Sequence, residues 1–345
     1  METMRCTDLP VERLDAIVSG FSDVRVTVIG DYSLDRYGQG EVKGVSRETG
    51  QRVPRLWWHS FNPGGAGNVA WNLADMGGRV HAACAIGDDG FGGIMTRFME
   101  ERGIDLGGVI RDDQRITGSY EKIQVRDTHS GEERELRIDV DNENPIAPGS
   151  EEALLRRIEC ATAEGHVLVA ADYNEEAMGV LTDRVTRAIV EAAEGASRLV
   201  AAISRTRPMA FAPAMLVVNE YEACHATGVA APDIFDDVPD DTVHEAARAI
   251  VDRTGRPAFV TLGSRGMLVM RPGGSSTRVA TLEPRGPIDI TGAGDSALAG
   301  IVLSLAVGAS PEEAACVGNL AAYVTIHKVR ATGTATPAEL RAVLS

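Results

Sequence analysis

The segment Asp289-Ile290-Thr291-Gly292-Ala293-Gly294-Asp295 combines a possible anion-binding loop with a carboxylate. It lies before the small-residue apolar run 296–307, which predicts a helix. Small residues at a helix start leave backbone N–H groups uncovered, and the helix dipole adds partial positive charge there. Asp295 places a carboxylate beside this site, where it can take a proton from an attacking hydroxyl. The alternative is a glycine-rich turn in which Asp295 only favours the first helical turn.

A second glycine-rich loop, Asn62-Pro63-Gly64-Gly65-Ala66-Gly67-Asn68, also leads into a predicted helix. Apolar residues at helical spacing follow it, and Gly77 is a plausible C-terminal stop. The segment 24–29 is a short β-branched run that predicts a buried first strand. The glycines after that strand lack the spacing of a dinucleotide-binding fingerprint.

Polar residues and glycines follow several predicted strands at their carboxyl ends. Asp31 and Asp35 follow the first strand, Asn219 and Glu222 follow the strand at 214–218, and 263–266 follows the strand at 257–262. Ligands of doubly wound sheets bind beyond the carboxyl ends of strands. These groups are therefore candidates for one ligand cleft.

Composition restricts the class of protein. Acidic residues outnumber basic ones 50 to 34 in the 345 residues, giving a net charge of −16, which disfavours a nucleic-acid partner. The most apolar run, 297–309, is too short to span a bilayer, and 1–18 has no signal-peptide core, so we expect no membrane association and a cytoplasmic location. The five cysteines and seven histidines show no metal-ligand spacing.

Helices alternate regularly with apolar strands from residue 151 onward, which predicts an α/β fold with a mainly parallel sheet covered on both faces. Two strand-rich insertions near 36–62 and 115–141 do not fit that layer and predict a small β-sheet lid. No linker or low-complexity segment separates these parts, so we expect a single domain over 1–345. A helix is expected over Met1 to Phe21.

Four of these segments, in this order, resemble the signatures of the PfkB (ribokinase-like) family of sugar kinases. They are Gly64 to Asn68, Asn219 to Glu222, Val260 to Gly266, and Asp289 to Gly300. The resemblance covers about Val24 to Leu340 and implies a three-layer α/β/α fold. Within the family the chain is most similar to heptose 7-phosphate kinases that form one half of bifunctional ADP-heptose synthases. The motif Gly30 to Tyr37 and the segments 137–139 and 171–173 carry that closer similarity.

The resemblance implies an ATP-dependent phosphotransferase that also requires Mg²⁺. Asp295 is expected to be the general base, and the N–H groups of Gly292, Ala293 and Gly294 are expected to hold the transferring phosphoryl group. The expected substrate-binding residues are Asp31, Asp35, Gly64, Gly65, Asn68, Lys122 and Arg137. The expected nucleotide-binding residues are Asn219, Glu222, Thr261, Gly263, Gly266 and Asn319, with Glu222 acting on Mg²⁺ through water. Instead of binding a nucleotide, Asn219 can cap the helix that follows it. Instead of binding the substrate, Lys122 and Arg137 can be exposed charges that contact only solvent.

The sequence departs from the heptose kinase pattern where the sugar is selected. Asn174-Glu175-Glu176 replaces a segment with lysine, and Ser204-Arg205 stands where an Asp-Pro-Lys run is usual, although Arg205 and Arg207 can supply positive charge. The acceptor therefore stays open between heptose 7-phosphate and a pentose, a ketose phosphate or a nucleoside. A catalytically weak sugar-binding regulatory protein is the other alternative.

The predicted lid contains several apolar residues, among them Trp57 and Trp58. An exposed small sheet with apolar side chains invites pairing with a second copy. We therefore expect a homodimer formed through the lid, with the two tryptophans packing the lid or the dimer contact.

Overall fold

The structure is a computed structural model that describes residues 2–173, 178–195, 199–233 and 236–344. Its larger sheet is built, in the described part of the chain, from ten strands. In chain order they are β1 (Glu2–Arg5), β2 (Arg25–Gly30), β5 (Arg79–Gly87), β6 (Asp105–Asp112), β9 (Val167–Asp172), β10 (Val200–Ser204), β11 (Met215–Asn219), β12 (Ala258–Thr261), β13 (Met267–Met270) and β14 (Ser276–Ala280). The numbers missing from this series belong to the second sheet.

Helices flank this sheet on both faces. The α-helices are α1 (Val11–Ser19), α2 (Ala66–Asp75), α3 (Gly90–Glu100), α4 (Pro148–Glu164), α5 (Asp183–Glu194), α6 (Glu220–Thr227), α7 (Asp240–Thr254), α8 (Ala293–Ala306), α9 (Pro311–Ile326) and α10 (Pro337–Leu344). Short 3₁₀ turns occur at Cys6–Asp8, Phe21–Asp23, Pro208–Phe211 and Gly263–Arg265.

The strand order of the larger sheet is β1-β14-β13-β12-β11-β10-β9-β2-β5-β6. Every neighbouring pair is parallel except the two that involve β13. Successive strand residues therefore face two separate cores, as in β9, where Val169 packs with α2 and α8 while Leu168 packs with α4 and α5. This is the predicted three-layer α/β/α architecture.

The second sheet contains four described strands, ordered β4-β3-β7-β8. They are β3 (Tyr32–Val45), β4 (Arg52–Gly65), β7 (Ser119–Asp127) and β8 (Glu133–Val140). We call residues 32–65 and 119–140 the lid. Its strands come from the two segments predicted to form it, and β3 begins two residues after β2 ends, so the lid is rooted beside the carboxyl edge of the larger sheet.

Two features of the fold differ from the sequence prediction. The helix expected over 1–21 is confined to Val11–Ser19, because Pro10 caps its start and residues 2–5 instead pair in parallel with β14. The strand β6 has no counterpart among the predicted strands, because Gly107 and Gly108 interrupt its apolar pattern. Within the described ranges, no helix is both long and apolar enough to cross a membrane.

Candidate active site

Asp295 lies in the first turn of α8, with its side chain almost fully buried. Its Oδ2 accepts a hydrogen bond from Asn68 Nδ2 at 2.5 Å, and its Oδ1 accepts one from the Tyr173 hydroxyl. Asn68 is in the first turn of α2, and Tyr173 directly follows β9. Both glycine-rich loops and the end of a central strand therefore converge on this carboxylate.

Burial raises the pKa of Asp295, while the hydrogen bonds from Tyr173 and Asn68 and the charge of Arg205 lower it. Burial favours the neutral acid, whereas donors directed at the oxygens favour the carboxylate. The arrangement can therefore hold a carboxylate of increased basicity, which is the property required of a general base.

The chain before α8 turns at Gly292, where φ is 80° and a side chain is excluded. A Cβ at this position would lie 2.7 Å from Asn68 Nδ2. The Ala293 N–H donates to the Ile290 carbonyl at 3.2 Å, which closes a turn of type II around Gly292. The Ala293 N–H therefore takes part in this turn. The predictions that the N–H groups of Gly292, Ala293 and Gly294 donate to a phosphoryl group stay predictions.

A chain of buried side chains fixes Asn68 from behind. The Asn72 amide donates to Asn68 Oδ1 at 3.1 Å, and Ser296 donates to Asn72 Oδ1 at 2.5 Å. Ser296 also shares a hydrogen bond of 2.6 Å with Thr325 on α9. The Asn68 amide nitrogen thus holds Asp295, and the prediction that Asn68 binds sugar hydroxyls stays a prediction.

A cavity of about 260 Å³ lies in front of Asp295, between the lid and the sheet edge. Its carboxylates are Asp35, Asp139, Asp141 and Asp295. Its cations are Lys122, Arg137 and Arg205. Positive charge from two lid strands and from the end of β10 therefore faces one polar space.

Most predicted substrate residues lie in or beside this cavity. Asp35, Gly65, Lys122 and Arg137 line it, and Gly64 is adjacent, since a Cβ on Gly64 would lie 3.0 Å from the Asp35 carboxyl. Burial raises the pKa of Asp35 to about 6, and nearby Lys122 lowers it. Arg137 also bonds Asp139, its Nε lying 2.9 Å from Oδ1.

Asp31 lies deeper than the other predicted substrate residues and does not line the cavity. Its Oδ1 accepts from the Val180 N–H at 2.8 Å, while its Oδ2 is buried and has no hydrogen-bond partner among the described residues. Burial raises its pKa to about 6, and the nearby Asp172 charge adds to the increase. A buried acceptor without a donor fits a ligand hydroxyl, so the predicted role of Asp31 stays a prediction.

A separate groove of about 570 Å³ lies beside α6 and is lined by Arg205, Asn219, Tyr221 and Glu222, among others. Arg205 belongs to both spaces and so joins the groove to the Asp295 cavity. Asn219 and Glu222 form a capping box, in which Asn219 Oδ1 accepts from the Glu222 N–H and Glu222 Oε2 accepts from the Asn219 N–H, each at 2.8 Å. The capping alternative for Asn219 is therefore present, and a nucleotide role for these residues stays a prediction.

Glu222 was predicted to act on Mg²⁺ through water. Burial raises its pKa to about 7, which marks a carboxylate with incomplete compensation by positive charge. No group of three His, Cys, Asp or Glu residues in the described ranges is arranged to hold a metal directly. The donor set therefore fits an ion held through water and nucleotide phosphates rather than by a protein cage.

The remaining predicted nucleotide residues divide into open and packed positions. Gly263 has φ of 56° with open space around its missing side chain, and Thr261 Oγ1 donates weakly to the Val218 carbonyl at 3.4 Å. At Gly266 a Cβ would lie 2.2 Å from the Val279 carbonyl oxygen. Asn319 is buried, and its Nδ2 donates to that same carbonyl oxygen at 2.9 Å. Gly266 and Asn319 thus have structural roles that explain their presence without a nucleotide.

Two site residues were absent from the predicted set of ligands. Tyr173 contacts Asp295, and Arg205 lies over the Tyr173 ring, with its Cζ 5.3 Å from the ring centroid. Tyr173 follows β9 as Asp31 follows β2, and that position at a strand end was the available signal.

Arg207, which was also predicted to supply positive charge in place of the missing lysine, instead forms an ion pair inside the protein, with its Nε 3.0 Å from Asp172 Oδ2. The divergent segment Asn174-Glu175-Glu176 lies outside the described residues.

Comparisons with solved structures show that the chain has the ribokinase-like fold. Ribokinase of Arabidopsis thaliana complexed with ribose and ATP superposes with a TM-score of 0.70 at 16% identity, covering 93% of this chain and 98% of that one. Phosphofructokinase-2 of Escherichia coli in complex with substrates and products gives a TM-score of 0.70 at 19% identity, with the same coverage. At these identities the similarity shows the fold alone.

Curated relatives are closer in sequence. The bifunctional protein HldE of Azorhizobium caulinodans is 34% identical over 326 residues, which cover 92% of this chain and 64% of the relative. HldE of Geobacter metallireducens is 29% identical over 340 residues, or 95% of this chain and 64% of the relative. The chain thus spans less than two thirds of the length of these relatives.

A family model described as pfkB family carbohydrate kinase matches residues 25–339, which include both glycine-rich loops and Asp295. The chain therefore belongs to the pfkB family of carbohydrate kinases.

Proposed function

We propose that this kinase transfers the γ-phosphoryl group of ATP to a hydroxyl of a sugar phosphate, with heptose 7-phosphate as the first candidate acceptor. The observation that carries the proposal is the position of Asp295, which is hydrogen-bonded at both oxygens and faces a cavity with three cations. One phosphate-bearing acceptor needs both a base near its hydroxyl and positive charge for its phosphate. The HldE relatives support this choice of candidate.

In the proposed reaction, Asp295 accepts the proton of the sugar hydroxyl while the hydroxyl oxygen of the sugar attacks the γ-phosphorus. The bond to the β,γ-bridging oxygen breaks and ADP leaves. The Gly292 and Gly294 N–H groups, at the positive end of α8, stabilise the charge on the transferring group. Arg205 lies between the two spaces and interacts with the same group. Mg²⁺, when bound with the nucleotide near Glu222, neutralises phosphate charge.

The cations on the lid are assigned to the acceptor phosphate. Lys122 is on β7 and Arg137 on the neighbouring strand β8, where they form a directly opposed pair. Both line the cavity of Asp295, and neither lines the groove beside α6. A guanidinium and an ammonium side by side suit a phosphate monoester better than a neutral sugar.

A panel of acceptors tests the proposal through coupled measurement of ADP release. The panel contains heptose 7-phosphate, the unphosphorylated heptose, fructose 6-phosphate, ribose and a nucleoside. We expect the highest kcat/KM with heptose 7-phosphate and a loss of at least about a hundredfold without its phosphate, because the charge-assisted contacts of Lys122 and Arg137 to that phosphate are then lost. Turnover of only ribose or the nucleoside would reject the sugar-phosphate assignment. Binding of sugars without any turnover would instead support the regulatory alternative.

The lid supports a second proposal, that two copies pair to form a homodimer. Its exposed apolar side chains include Val45, Trp57, Leu136 and Ile138, with Trp57 64% exposed. The strands β4 and β8 are both edges of the smaller sheet, so each has unpaired backbone groups. Exposed apolar area and open strand edges favour association with an identical surface.

A further inference from the structure

The Tyr173 hydroxyl is the donor to Asp295 Oδ1. Tyr173 and Asp295 both line the cavity, whereas Asn68, which holds the other oxygen, does not. We propose that Tyr173 is a positioning residue whose hydroxyl fixes the Asp295 carboxylate toward the acceptor and favours its charged form. This inference rests on the proposed role of Asp295 as general base.

Two donors from different elements determine the plane of the carboxylate. Asn68 comes from α2 and is itself held by Asn72, while Tyr173 comes from the end of β9. A carboxylate oxygen accepts more than one hydrogen bond, so Oδ1 can keep the Tyr173 bond while accepting from an acceptor hydroxyl. With one donor removed, the carboxylate can rotate away from the attacking geometry, which lowers the rate of transfer.

The charged groups around Asp295 make the hydrogen bond from Tyr173 important for the charge state of Asp295. The Asp295 charge adds to the increase that burial causes in the pKa of Asp35 in the lid and of Glu222 on α6, and Arg205 at the end of β10 lowers the pKa of Asp295. The hydrogen bond from Tyr173 is the largest of the effects that lower the pKa of Asp295. Burial and the Asp295 charge raise the pKa of Tyr173 well above its ordinary value, so its hydroxyl stays a donor at neutral pH.

A different role for the hydroxyl predicts different kinetics. If Tyr173 only occupied the position of the acceptor hydroxyl in the free protein, its removal would lower the acceptor KM and leave kcat unchanged. If it positions the base, its removal lowers kcat, leaves KM nearly unchanged and shifts the pH profile. The split between kcat and KM therefore separates the two roles.

The test compares Tyr173→Phe with Tyr32→Phe. Tyr32 is a matched control, because it is buried and its hydroxyl also donates within the protein, to the Val28 carbonyl at 3.3 Å. With the best acceptor of the panel, we expect Tyr173→Phe to lower kcat at pH 7 about tenfold and to move the acid limb of kcat/KM to higher pH. The Tyr32→Phe limb stays at the wild-type pH. A Tyr173→Phe profile that superposes on the wild type in a folded protein would overturn the proposal.

A second measurement needs no turnover. In protein labelled with carbon-13 at the aspartate carboxyls, the Asp295 resonance is assigned by its loss in Asp295→Asn. We expect it to titrate at higher pH in Tyr173→Phe than in the wild type and Tyr32→Phe. Equal titration in all three proteins would reject the role of Tyr173. Absence of turnover by the wild type would reject the proposed function but leave this titration to decide the contact.

Discussion

Asn68 and Asp295 are 227 positions apart in the chain, and the amide nitrogen of the first lies 2.5 Å from the carboxylate of the second. Each residue lies in the first turn of a helix that follows a glycine-rich loop. The two family signatures are thus joined by one hydrogen bond across the α2–α8 contact. A substitution in either glycine-rich loop is therefore expected to disturb the position of Asp295 as well as any ligand bound by that loop.

Asp295→Asn is expected to reduce kcat by roughly 10²–10⁴-fold, because the amide cannot accept the acceptor proton. Nucleotide affinity, measured by calorimetry with ADP, should stay near the wild-type value, since Asp295 is not in the groove beside α6. The control for folding is an unchanged far-ultraviolet spectrum. ATP-dependent transfer within tenfold of the wild-type rate would contradict the assignment of Asp295 as base.

Arg137→Ala is expected to raise the KM of the phosphorylated acceptor about tenfold or more, because the phosphate loses a charge-assisted partner. Arg134→Ala is the matched control on the same strand, since Arg134 also pairs with a nearby carboxylate but does not line the cavity of Asp295. Initial rates with phosphorylated and unphosphorylated acceptors check the difference. Equal KM effects for the two variants would remove Arg137 from the phosphate site.

Gly266→Ala and Gly263→Ala separate a packed glycine from an open one. The first places a Cβ 2.2 Å from the Val279 carbonyl oxygen at φ of 88°, and we expect a loss of at least roughly 3 kcal/mol in unfolding free energy. The second has open space at φ of 56°, and we expect a cost of about 1 kcal/mol. Urea unfolding measures both. If Gly263 lies close to the bound nucleotide, Gly263→Ala is expected to lose ADP affinity while it keeps most of its unfolding free energy. Gly266→Ala is not expected to show that combination.

Glu222→Gln tests the linkage between a buried carboxylate and stability. The folded-state pKa of Glu222 is raised to about 7 from 4.5, so the folded protein binds more protons than the unfolded chain between these values. The stability that this proton supplies is present below pH 4.5 and is lost as the pH rises through 7. Glutamine keeps the capping box and carries no charge.

We therefore expect Glu222→Gln to exceed the wild type in unfolding free energy by roughly 1–3 kcal/mol at pH 8, with a smaller gain at pH 5. Urea unfolding at the two pH values measures the effect. Glu133→Gln, at an exposed lid position, is the control and should show no such pH dependence. A gain that is larger at pH 5 than at pH 8 would contradict the sign.

The sequence predicted the layers and the position of Asp295 at the start of a helix, because both depend on local patterns. Apolar strands alternating with helices specify a covered parallel sheet, and a glycine-rich loop before a helix specifies the place of Asp295. The contact of Tyr173 with Asp295 depends on how β9 and α8 pack, and no local pattern encodes it. The same holds for the commitment of the Ala293 N–H to Ile290, which follows from the turn geometry at Gly292.

Trp57→Ser is expected to weaken the proposed dimer, because an exposed aromatic residue at the centre of an interface often contributes 2 kcal/mol or more, or about 30-fold in the dissociation constant. Trp57 lies in a groove across the lid with Gln39 and Val125, away from Asp295. Val329→Ser is the control, since Val329 is 44% exposed but lies outside the lid.

Light scattering over a range of concentrations measures the mass of each protein. We expect the wild type and the Val329 variant to approach twice the chain mass of 36.6 kDa, and the Trp57 variant to fall toward that of one chain. A wild type that stays at one chain mass at every concentration would reject pairing through the lid.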